Sequence, residues 1–151
     1  MTVRNAIPED IETIALFQQK MARETEGIDL ESPVVIRGVQ SVFEDPSKGF
    51  YIVARQDEKV IASMLLTPEW SDWRNRLFLW IQSLYVVPEF RKKGVFTMMY
   101  NHIKKMVRQS DAYAGIKLYV DRDNLRAQEV YKRVGMISSH YNLFEWNKDQ
   151  L

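Results

Sequence analysis

The passage from Leu77 to Thr97 constrains this chain more than any other. It opens with eleven residues, Leu77–Val87, that are apolar nearly throughout. A run of that length and content predicts a strand covered on both faces, and so a central strand of a sheet. Pro88 and Glu89 interrupt it, Arg91-Lys92-Lys93-Gly94 follows, and a helical pattern begins at Val95. A strand, a basic glycine-containing loop and a helix start, in that order, aim backbone N–H groups at an anion. The positive end of a helix dipole then stands behind them. The chain has to build an α/β layer around this strand, with the loop as a candidate phosphate grip.

The remaining elements fit around it. Residues 2–6 predict a short opening strand. Pro8 stands at a first helical position, and Ile11, Ile14 and Ala15 repeat at helical spacing, which predicts a helix near 8–24 that Gly27 ends. Ser32-Pro33 starts a second helix, with Ile36, Val39 and Phe43 on one face, closed by Asp45-Pro46 and Gly49. Phe50–Arg55 and Val60–Thr67 predict a hairpin around the polar turn 56–59. Residues 68–75 read as a loop because of Pro68 and the polar cluster after it. A helix is expected at 95–109, with Val95, Met99, Ile103 and Met106 facing inward. A strand at 116–120, a helix at 124–134 stopped by Gly135, and two short strands near 136–140 and 142–147 complete the order.

Composition removes whole classes of function. The 151 residues suffice for one domain with its own core, and neither a linker nor a repeat divides 1–151. A net charge of +1 gives no general attraction to nucleic acid or anionic membrane. Cysteine is absent, which rules out disulfides, thiolate catalysis and zinc–thiolate sites. No apolar run is long enough to span a bilayer, and Met1–Asn5 lacks the core of a signal peptide, so the expected compartment is the cytoplasm. His102, expected to be a half-buried packing residue, and His140 have no second ligand at metal spacing, and no metal is expected.

The loop by itself is a modest signal, since three cations in a turn also describe an ordinary solvated surface. It is neither a Walker A loop nor a dinucleotide-binding glycine fingerprint. A second segment sharpens it. Tyr85-Val86-x-Pro88-Glu89 and Arg91-x-x-Gly94 are followed by Asn124-x-x-Ala127-x-x-x-Tyr131-x-x-x-Gly135-Met136. Together these resemble the signature of the GNAT N-acetyltransferase superfamily, and the order of elements agrees over almost the whole chain. The resemblance implies an α/β fold of the α+β type: a mixed, mostly antiparallel sheet with helices on both faces. It implies acetyl-CoA as cofactor, its pantetheine arm pairing with the backbone of Leu84, Tyr85 and Val86. It places the pyrophosphate on Arg91, Lys92, Lys93, Gly94, Val95, Phe96 and Thr97. It further implies that Asn124 lies near the cofactor arm and that Tyr131 protonates the departing CoA thiolate.

Two positions depart from the family pattern. Phe96 stands where a small residue is usual, and helical spacing sets it near Tyr100 and Ile103 on a packing face. The central strands offer Trp80, Gln82 and Tyr119 where many members carry a glutamate, so deprotonation of the acceptor uses another group, a water chain, or an amine already neutral in part. Tyr131 shares the apolar face of its helix with Ala127 and Val134, and packing alone would account for it.

The acceptor site is expected at Trp70, Asp72, Trp73 and Gln82. Indole faces hold an apolar or cationic group, and a carboxylate attracts an amine. The same two indoles could equally cap the core or a dimer contact. Glu24 and Glu44, at the ends of the first two helices, are candidates for base or amine anchor, or plain surface charges. The expected activity is acetyl transfer to a small-molecule or protein amine; the alternative is a CoA-binding module without catalysis. A homodimer is expected from the resemblance, with residues 141–146 as its contact.

Overall fold

The computed structural model describes residues 1–149. The chain forms two compact units, Met1–Tyr119 and the segment from Val120 onward. In the first, β1 (Thr2–Asn5) leads through a 3-10 turn into α1 (Ile11–Glu26), then α2 (Ser32–Glu44). Strands β2 (Phe50–Gln56), β3 (Lys59–Ser71) and β4 (Arg76–Val86) follow, then α3 (Val95–Gln109) and β5 (Tyr113–Leu118). The five strands lie in sequence order, β1-β2-β3-β4-β5, with every neighbouring pair antiparallel except β4 and β5, which are parallel. A parallel pair needs a crossover, and α3 supplies it.

Local chemistry sets these boundaries. Gly27 ends α1 in the left-handed conformation at φ 66°, its N–H turned back onto the carbonyls of Ala22 and Arg23. Pro33 sits in the first turn of α2, where its missing N–H has no helical partner to lose. Tyr51 and Val53 of β2 face Ile14 and Ala15 of α1 and Val39 of α2 in one cluster. Strand alternation turns Ile52 and Ala54 to the opposite face, where they are wholly buried along with Ala62, Met64 and Leu66. That face is covered by α3, which touches β1, β2 and β5 and buries Val95, Met99 and Ile103. Helices therefore cover both faces, as expected. Removing one such side chain, for example Ile103→Ala, would cost about 2–5 kcal/mol.

The structure corrects several expectations. Residues 68–75 are not a loop: β3 continues to Ser71, and only the tight turn 72–75 separates it from β4. Pro68 is tolerated because β2 reaches no further than Leu66, which leaves that stretch of β3 as a sheet edge. β5 begins at Tyr113 and ends at Leu118 rather than running 116–120. His102, expected half-buried, is exposed one position before the fully buried Ile103.

In the second unit, α4 (Leu125–Arg133) is capped by Asn124, whose side-chain oxygen accepts from the N–H of Ala127 at 3.1 Å. Gly135, at φ 93°, closes it. The strands expected near 136–140 and 142–147 are absent among the described residues. Alternating apolar residues make a segment extended, but a strand also needs a ladder partner, and none pairs with this one. Ile137, Phe144 and Trp146 are consequently 92%, 93% and 82% exposed.

Candidate active site

The site begins at a defect in the sheet. On β4, Ser83 pairs with Leu65 of β3 and Ile81 pairs with Leu66, so Gln82 is an extra, bulged residue. A bulge bends its strand and increases the local twist. At the same place β4 loses its other neighbour: Ile81, opposite Leu118, is the last residue of β4 paired with β5. From Gln82 to Val86 no strand flanks β4 on the β5 side, among the described residues.

The direction of the main chain there follows from one bond. The N–H of Val87 donates to the carbonyl of Ile61 on β3 at 2.9 Å. Successive residues of a strand turn their N–H and C=O to alternate edges. Tyr85 therefore spends its backbone groups on β3, while Leu84 and Val86 turn theirs to the open edge.

The loop beyond β4 supplies further N–H groups. Lys92 and Gly94 both adopt positive φ, 64° and 77°. Alternation through left-handed residues makes successive N–H groups converge in an anion-binding concavity. Gly94 then caps α3, and the first intrahelical donor is Met98, bonded to Gly94 at 3.0 Å. The N–H groups of Val95, Phe96 and Thr97 thus precede the helical ladder. Phe96 stacks on Tyr100 with ring centroids 5.8 Å apart, the packing role its spacing predicts.

Arg91 is engaged elsewhere. Its Nε–H donates to the carbonyl of Val86 at 2.8 Å, and an Nη2–H donates to Glu24 Oε2 at 2.7 Å. Its guanidinium lies over the Tyr85 ring, 5.4 Å from the centroid, and the Tyr85 hydroxyl meets Glu24 Oε1 at 3.3 Å. Burial first, then the Glu24 charge, pushes the Tyr85 phenol up. The sequence placed Glu24 at a helix end; its partnership with Arg91, 67 residues away, had no local signal. Glu24 and Tyr85 border a cavity of about 820 Å³ walled also by Phe17, Lys20, Val87 and Glu89.

The other predicted residues lie apart. Trp70 pairs with Leu77 near the tip of the β3–β4 hairpin, and Trp73, in the turn, is 89% exposed. Leu77 stands nine residues before Val86, roughly 30 Å along the strand. The Asp72 carboxylate accepts from the N–H of Trp73 at 2.9 Å and so shapes the turn. Gln82, by contrast, is exposed at the bulge itself. Flanking Phe78 and Trp80 of β4, the Lys117 ammonium, 2.8 Å from Glu69, holds that carboxyl below its usual range. Trp80 and Tyr119 form an aromatic pair at 4.5 Å. In the second unit Tyr131 is half-buried on α4, and burial pushes its phenol up from 10.0. The Asn124 side chain is used as the helix cap.

Residues 12–136 match the family model described as the acetyltransferase (GNAT) family. The chain belongs to that family of acetyltransferases. A solved structure of a possible acetyltransferase from Clostridium difficile 630 is 40% identical, with TM-score 0.91, over 99% of this chain and 98% of that one. Acetyltransferase PseH of Campylobacter jejuni is 27% identical over 126 residues, which are 83% of this chain and 69% of that protein. The fold also matches that of the aminoglycoside N-acetyltransferase AAC(6')-Iy solved with CoA, at 11% identity, TM-score 0.79 and coverage of 97% and 94%.

Proposed function

We propose that this chain transfers the acetyl group of acetyl-CoA, its donor substrate, to a primary amine. The observation that carries this reading is the open edge of β4. A sheet edge with the N–H and C=O of Leu84 and the N–H of Val86 turned away from β3 suits an amide-bearing, extended arm, which pairs as a strand does. The pyrophosphate sits on the N–H groups of Lys92–Thr97, with Lys92 and Lys93 as nearby cations. Asn124 borders the arm while its side chain caps α4.

The neutral amine attacks the thioester carbonyl, a C–N bond forms and negative charge grows on the carbonyl oxygen. The N–H of Val86, fixed by the sheet and aimed at the open edge, donates to that oxygen. The nitrogen loses a proton to water, the C–S bond breaks, and Tyr131 gives its proton to the leaving thiolate and is reprotonated from solvent. A phenol pushed above 10.0 is fully protonated at neutral pH, as this role requires. The acceptor enters by the cavity beside Tyr85, whose wall carries Glu9, Asp10, Glu24, Glu58 and Glu89 against Lys20 and Lys59. Three of these acids are already paired, Asp10 with Arg4, Glu24 with Arg91 and Glu58 with Arg55, so the wall is polar rather than strongly negative. Gln82 contacts the acceptor at the bulge. The hairpin tip with Trp70, Asp72 and Trp73 serves only an acceptor long enough to reach it. The protein works in the cytoplasm, as a homodimer through residues 141–146.

A second reading has its own support. Glu24 and Glu69 are both engaged by cations, so neither stands ready as a base. A CoA-binding module without catalysis fits that arrangement. A CoA-release screen over many amines, with Tyr131→Phe as control, separates the two. Release with some amine, lost in the variant, supports the enzyme; acetyl-CoA binding without release from any amine supports the module.

A further inference from the structure

We infer that Glu24 is a positioning residue for the donor site, acting through Arg91, and that Arg91 is a clamp on β4 rather than a phosphate ligand. This rests on the acetyl-CoA reading above. The peptide unit joining Val86 to Val87 is held from both edges: its N–H by the carbonyl of Ile61 at 2.9 Å, its C=O by Arg91 Nε–H at 2.8 Å. That unit fixes the orientation of the one before it, whose N–H belongs to Val86 and faces the open edge. Arg91 can hold the carbonyl only if its planar guanidinium is oriented, and two contacts do this. Glu24 takes Nη2 at 2.7 Å, and the Tyr85 ring, 5.4 Å away, supports the flat face.

The geometry leaves little of Arg91 for a phosphate. Its Nε and one Nη are occupied, and its charge is matched by Glu24 at 2.7 Å. The cations left for the pyrophosphate are Lys92 and Lys93. The network also joins the C-terminal end of α1 to the end of β4 and the loop after it, stretches more than sixty residues apart in the chain. An isolated exposed ion pair is worth little, but this one is a fork with two acceptors and an aromatic support.

The test is a set of binding titrations with acetyl-CoA and with S-acetylpantetheine, which lacks the nucleotide and the diphosphate. The proteins are wild type, Arg91→Ala, Glu24→Ala, Glu24→Gln and the double alanine variant, each with a melting curve to verify folding. A clamp predicts that Arg91→Ala and Glu24→Ala each weaken both ligands by roughly three- to tenfold. The double variant should be no worse than Arg91→Ala, since the two act as a unit. Glu24→Gln, which keeps an acceptor oxygen, should recover part of the loss. The salt dependence of acetyl-CoA binding in Arg91→Ala should match wild type. A loss in Arg91→Ala confined to acetyl-CoA, with a flatter salt dependence, would overturn the clamp, as would unchanged or tighter binding in Glu24→Ala. Failure of the wild type to bind acetyl-CoA would overturn the donor reading and the clamp together; the wild-type titration tells the two failures apart.

Discussion

Ile81 faces Leu118 across the parallel ladder, and it is the last residue of β4 to find a partner on β5. The next residue, Gln82, is the bulge. Parallel strands are joined by evenly spaced bonds, and a bend in one strand ends that regularity at once. Leu84 and Val86 are left with N–H groups that neither strand uses. The proposed donor site is a failure of sheet pairing placed just before a candidate anion-binding loop.

Tyr131→Phe keeps the ring and removes the proton. Turnover should fall by about 100-fold or more, in line with the loss of a positioned general acid. Acetyl-CoA affinity should change less than twofold. Steady-state kinetics beside a direct titration check both. An unchanged turnover would return Tyr131 to a packing role beside Ala127 of α4 and Val134 at its end.

The distance along β4 makes a prediction for the hairpin tip. Trp73→Ala and Asp72→Asn should leave the turnover of small amines within twofold of wild type, because Leu77 lies roughly 30 Å from Val86. A loss with peptide acceptors alone would assign the tip to long substrates. A loss with small amines would place their site at the tip.

Asp10 ties β1 to the start of α1. Its carboxylate accepts from Arg4 at 2.7 and 3.0 Å and from the N–H of Ile7 at 2.9 Å. Burial pushes this carboxyl up, but the bonds from Arg4 and Ile7 outweigh it and the pKa ends below 3.8. A pKa lowered by folding means that the unfolded chain binds the proton more readily. The stabilisation is therefore complete at neutral pH, declines as pH falls below 3.8 and is gone below the folded-state pKa. Asp10→Asn should cost about 2 kcal/mol at pH 7 and nearly nothing at the acid end, as denaturant melts across pH would show.

Much of this fold was legible in the residues. α3 was, because Val95, Met99 and Ile103 repeat at helical spacing and all three are buried. The loop was, because Gly94 is a residue that takes φ 77° without strain. What sequence hid was long-range. Pro68 reads as a strand breaker until β2 is known to begin at Phe50, opposite Leu66, and so never to reach it. Nothing in the local pattern joins Glu24 to Arg91, and the bulge at Gln82 exists only relative to Leu65 and Leu66 of another strand. The segment after Gly135 has the residues of a strand without the partner.

That segment bears on assembly. Phe144 and Trp146, at 93% and 82% exposure, are large apolar surfaces that a second copy could cover. Sedimentation should give a dimer for the wild type and a monomer for Phe144→Lys combined with Trp146→Lys. A wild-type monomer at high concentration would contradict the proposed homodimer.

The most direct test of the donor site is amide hydrogen exchange read residue by residue, with and without acetyl-CoA. The open edge predicts that the N–H groups of Leu84 and Val86 exchange quickly in the free protein and become strongly protected with acetyl-CoA, along with those of Gly94–Thr97. Tyr85, already paired with β3, should be slow in both states. Leu84 and Val86 unaltered by saturating acetyl-CoA would contradict the account.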